Sequence, residues 1–80
     1  MEDELKAIMA DVLNIQKDKI TYDISMDNCD TWDSLKHMEL IVAIEQRFKI
    51  TFTADEIVTM TNFAELKRLL KKRRDVSDGS

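Results

Sequence analysis

Apolar residues recur along this chain at helical spacing. Leu5, Ile8, Met9, Val12 and Leu13 follow i, i+3, i+4, i+7, i+8, one face of a helix that turns about 100° per residue. That spacing predicts a first helix over residues 3–13. Glu2, Asp3 and Glu4 place negative charge at its N-terminus, where the macrodipole favours it. A second run, residues 34–48, carries two stripes. Leu40, Ile41, Ile44 and Phe48 share the face a helix buries in a core. Leu35, Met38 and Val42 fall on a different face, and one small core does not easily take both. The second stripe therefore reads as a patch with no internal partner.

Asp33 is placed to cap this second helix, its carboxylate accepting a first-turn N–H. Ser34 is then the first helical residue, its hydroxyl pointing outward above the second stripe. The plain alternative is that Asp-Ser is simply how the helix begins.

The chain has no Pro, and its only Gly is Gly79, so element ends must be read from caps and periodicity rather than from turn residues. Residues 14–33 form a long connection. Ile15, Ile20, Tyr22, Ile24, Met26 and Trp32 make it too apolar for a solvated linker, so it is expected to lay these side chains over the helices. Its stretch Asp23 to Cys29 superficially resembles a calcium loop, but that pattern wants Gly sixth and Glu twelfth. Asn28 and Ser34 stand there, and a solvated acidic surface is the simpler reading. Residues 50–53 alternate like a strand but have no partner strand; a loop with Ile50 and Phe52 turned inward is expected. Thr53 and Glu56 form a capping box opening a short third helix to about Met60. Asn62 and Glu65 repeat the device for a fourth, about 63–73, burying Phe63, Leu66, Leu69 and Leu70. Lys67, Arg68, Lys71, Lys72, Arg73 and Arg74 crowd its end. Cations complement a helix C-terminus and are solvated there, which accounts for them without a nucleic acid or membrane partner.

The fold class that follows is all-α: a four-helix bundle with a long loop between helices 1 and 2 and a short third helix. Residues 1–74 form the one domain that 80 residues allow, and residues 75–80 read as a flexible tail. Hydrophobic content of 44% and charged content of 35% suit a folded, soluble chain. No apolar run approaches the ~20 residues that span a bilayer, and the acidic N-terminus lacks a secretory signal; a cytoplasmic monomer is the default expectation. A net charge of −4 disfavours nucleic acid and favours partners with basic docking patches. One Cys and one His, Cys29 and His37, exclude an internal disulfide and disfavour zinc.

The segment Trp32-Asp33-Ser34-Leu35-Lys36-His37-Met38-Glu39-Leu40, continuing to Ile50 with Glu45 three residues before Phe48, resembles the acyl/peptidyl carrier protein family. The order of elements does too, over residues 3 to about 74. The resemblance implies that Ser34 receives 4′-phosphopantetheine from coenzyme A, delivered by a separate phosphopantetheinyl transferase. It implies a carrier of acyl or aminoacyl thioesters, loaded by a ligase and used by downstream biosynthetic enzymes. Asp33 and Leu35 match the positions that contact the transferase. Met38, Glu39, Val42 and Glu45 match the partner face, with Ile57 and Val58 of the third helix as its other wall.

The approach Cys29-Asp30-Thr31-Trp32 lacks the Gly that the family often has there. A Trp before Asp-Ser-Leu looks more like stand-alone carriers of specialised pathways than like the fatty-acid type. Lys36 stands where fatty-acid carriers usually have an acid, and Lys49 replaces the usual Gly after Phe48. The alternative is an unmodified helical adaptor that binds a partner through Leu35, Met38 and Val42. An enzyme is the weakest reading. A Ser hydrolase needs a base and an orienting group, and the chain has neither an acid–base pair at suitable spacing nor a Gly-rich phosphate loop.

Overall fold

The computed structural model describes the backbone of residues 2–79 and the side chains of residues 2–74. Helix α1 spans Glu2–Leu13, α2 Ser34–Phe48, α3 Ala54–Thr59 and α4 Phe63–Gly79, with a 3-10 turn at Lys17–Lys19. This is the expected all-α, four-helix arrangement.

The predicted stripes are the buried ones. Leu5, Met9 and Leu13 from α1, Leu40, Ile41 and Ile44 from α2, and Phe63, Leu66, Leu69 and Leu70 from α4 meet in one core. Ile20, Ile24 and Trp32 of the long connection join them, and Phe52 and Met60 enter from either side of α3. Tyr22, expected over the core, is instead 63% exposed. It sits at the rim, its ring meeting Phe63 edge-on at 6.1 Å.

The connection is knitted to the far end of the chain by backbone bonds. The Met26 N–H donates to Thr61 O at 2.9 Å and the Phe63 N–H to Ile24 O at 3.0 Å, making a single antiparallel bridge between Ser25 and Asn62. Asn28 closes the turn inside the loop: its Oδ1 accepts from the Ser25 N–H, and its Nδ2 donates to Asp23 O. Among the described residues, His, Cys, Asp and Glu do not cluster as a metal site would require.

Helix ends follow local chemistry. Thr53 and Glu56 make both halves of the capping box. At α4 only half of the expected box forms. The Glu65 N–H donates to Asn62 Oδ1, while the Glu65 carboxylate turns to Arg68. Helices α1 and α2 end on left-handed residues that are not glycine, Asn14 at φ 56° and Lys49 at φ 59°. In both, the next amide reaches back into the helix, Ile15 to Ala10 O and Ile50 to Glu45 O, the way a C-terminal turn satisfies orphan carbonyls.

Helix α4 continues past the end expected near residue 73, so the backbone of residues 75–79 is helical where the sequence suggested a tail. No Pro interrupts it, and the single Gly lies at its last position. The basic cluster is therefore not in the last turn. Several of its members bind acids: Lys67 pairs with Glu2, Arg68 with Glu65 and Arg73 with Glu56. Among the described residues no helix is long and apolar enough to cross a membrane.

Candidate functional site

Ser34 is the first residue of α2 and is solvent-exposed. Asp33 caps the helix from an extended conformation, its Oδ1 accepting the Lys36 N–H at 2.8 Å. The His37 N–H donates to Asp33 O at 2.8 Å. The amides of Ser34 and Leu35 lie in the turn that has no intrahelical acceptors. The Asp33 carboxylate takes the Lys36 amide and no acid lies among the first residues of α2 itself, which leaves the Ser34 and Leu35 amides beside the hydroxyl. An N-terminus of this kind accommodates a phosphate ester. The residues present therefore fit a phosphodiester on Ser34.

The second stripe is exposed, as expected: Leu35 is 70%, Met38 49% and Val42 46% accessible. With Glu39, Ala43 and Gln46 they line an open groove of about 460 Å³. Glu39 also meets Lys36 at 3.6 Å, an exposed pair that contributes little to stability. Val58 on α3 is 70% exposed.

Two residues expected on the partner face are placed differently. Glu45 is half-buried, and its Oε2 accepts the Phe52 N–H at 2.8 Å, pinning the loop that leads to α3. Ile57 is half-buried and packs against the core. Its carbonyl accepts a hydrogen bond from His37 Nε2 at 2.8 Å. Neither lines the groove.

His37 is buried, and the periodicity of α2 carries the signal for it. It extends the buried stripe of α2 backwards, at i relative to Leu40, Ile41 and Ile44 at i+3, i+4 and i+7. It is 6% exposed. The Trp32 Nε1–H donates to His37 Nδ1 at 3.1 Å. Because an indole can only donate, the proton of the neutral imidazole sits on Nε2, which donates to Ile57 O.

Residues 3–70 match the protein family described as "Phosphopantetheine attachment site". The chain belongs to this family. It is 26% identical over 76 residues to the acyl carrier protein of Petrotoga mobilis, covering 95% of this chain and 89% of that one. It is 32% identical over 72 residues to that of Buchnera aphidicola, covering 90% and 92%. A non-reducing polyketide synthase of Monascus ruber is 33% identical over 76 residues, 95% of this chain but 3% of the synthase. Among solved structures, the holo acyl carrier protein of Geobacter metallireducens superposes with a TM-score of 0.84 at 33% identity, covering 95% of this chain and 87% of that one. The chain is thus a phosphopantetheine carrier with the acyl-carrier fold, a carrier rather than an enzyme. Its cofactor is 4′-phosphopantetheine, attached covalently.

Proposed function

We propose that Ser34 is the attachment residue, and that this carrier serves a specialised biosynthetic pathway rather than housekeeping fatty-acid synthesis. One observation carries the site: an exposed hydroxyl on the first residue of α2, beside amides that lack intrahelical acceptors. Asp33 holds the turn open by capping one residue further on, at Lys36. When bound, the group supplies a terminal thiol that carries acyl or aminoacyl cargo as a thioester.

The partner face is the groove of Leu35, Met38 and Val42, flanked by Glu39. A phosphopantetheinyl transferase docks there first, then a loading ligase and the enzymes that use the cargo. Support for a specialised pathway comes from three features. Trp32 precedes the Asp-Ser-Leu motif, Lys36 breaks the acidic run that a fatty-acid carrier presents, and the relatives include a carrier segment of a polyketide synthase.

The test is intact mass before and after incubation with coenzyme A and a broad-specificity transferase. Wild type gains one phosphopantetheine and Ser34→Ala gains none. Gain by Ser34→Ala would move the site elsewhere. No gain by folded wild type, beside a control carrier that loads, would leave Lys36 as the suspect; Lys36→Glu then restores loading if the reading holds.

A further inference from the structure

His37 is the buried polar side chain, among the described residues, for which carrying a cofactor gives no reason. The imidazole joins three pieces of the chain. Trp32, one residue before the cap of α2, donates to Nδ1; Nε2 donates to the carbonyl of Ile57 in the middle of α3. The two rings also lie against each other, centroids 6.0 Å apart at 35°.

Helix α3 has special need of such a tie. None of its residues is fully buried. Its capping box is local, and Arg73 of α4 holds Glu56 at its first turn. Ile57 packs against the core and Met60 follows it inside; the bond from His37 ties this second half directly to the helix that bears Ser34. A hydrogen bond between covered groups contributes most where little else holds the element.

We propose that His37 is a positioning residue for the loading of Ser34. Through Trp32 it fixes how the chain approaches the Asp33 cap, and through Ile57 it fixes α3 beside α2. A docking enzyme then meets Leu35 and Val58, both 70% exposed, as two walls at one fixed spacing. This rests on Ser34 being the attachment residue.

The test uses the full chain in wild-type, His37→Phe and His37→Gln forms. His37→Phe keeps a ring and removes both bonds; His37→Gln keeps an amide acceptor and donor. Nitrogen NMR of wild type should show the Nε2–H tautomer, and an Nδ1–H tautomer would overturn the proposal. In His37→Phe, amide exchange over residues 54–59 should accelerate about tenfold while the α1 and α4 core amides keep their rates. Transferase kcat/KM should fall about tenfold, mostly through KM, and His37→Gln should recover most of it. Equal acceleration in every helix, or loading unchanged, would reduce His37 to a packing residue and overturn the proposal.

If His37→Phe does not fold, Trp32→Phe removes the indole donor and keeps an aromatic ring, though a smaller one at a buried position; it should lower loading while exchange in α3 stays slow, and full loading would overturn the proposal. If wild type takes no phosphopantetheine at Ser34, the attachment reading fails and the loading role with it. The tautomer and exchange results still judge the tie itself.

Discussion

Replacing Glu45 by Ala removes the acceptor that holds the Phe52 amide, a bond of 2.8 Å between a carboxylate and a main-chain N–H. Hydrogen bonds to charged groups contribute ~1.5–3 kcal/mol. Glu45 is half-buried, so solvent can partly re-satisfy the amide, and the lower end applies: about 1.5 kcal/mol. In a domain of this size each kcal/mol shifts Tm by about 4–8 °C, which gives a fall of about 6–12 °C. Glu45→Gln keeps an oxygen at the same reach and should recover at least half of the loss. The assay is thermal unfolding by circular dichroism, with exchange of the Phe52 amide as the local readout. A Tm for Glu45→Ala within about 2 °C of wild type would refute the magnitude. Glu45→Gln losing transferase loading at unchanged Tm would refute the assignment itself, and return Glu45 to the partner face.

Other consequences are as direct. The Thr53 N–H, and then the Arg73 guanidinium, hold the Glu56 carboxyl below the ordinary carboxylate range. Its folded-state pKa is depressed, so the tie contributes fully at neutral pH and is lost as pH falls below about 4.5 through the depressed value. An acid titration of stability should therefore be flatter in Glu56→Gln, and an unchanged slope would count against the tie. Lys49→Gly relieves a left-handed non-glycine residue, worth about 1 kcal/mol, against the greater freedom of unfolded glycine; Tm should rise by about 2–4 °C. Leu5→Ala opens a cavity in a fully covered position and should cost about 2–5 kcal/mol in denaturant unfolding. Met38→Glu, on an exposed position, should stay within about 0.5 kcal/mol of wild type in stability while loading collapses.

Helical periodicity made the fold readable because each buried stripe repeats over two or more turns, and cap residues located the starts of α2, α3 and α4. The end of α4 was not readable: nothing between Lys71 and Asp78 stops a helix, and the expected stop rested on polarity alone. Leu35, Met38 and Val42 stood out because a second apolar stripe on one helix has no core to enter. The bonds of Glu45 and His37 to Phe52 N–H and Ile57 O could not be read, because a backbone group looks the same at every position of a sequence. Tyr22 was misplaced because the connection has no period, so its apolar residues could not be sorted into inward and outward sets.

The connection between α1 and α2 is a loop by its backbone and a wall by its side chains. Ile20, Ile24 and Trp32 are core residues, and the bridge to Asn62 ties the loop to the start of α4. Tolerance to insertion, usually highest in loops, is therefore uneven here. A cut within the exposed turn Lys17–Lys19 disturbs no buried side chain. The same cut between Ile24 and Met26 separates the two residues whose main chains hold the bridge. For anyone recombining carriers, the transplantable unit is thus not α2 alone. It runs from Ile20 through the end of α2, so that Trp32 travels with His37 and the loop brings its own share of the interior.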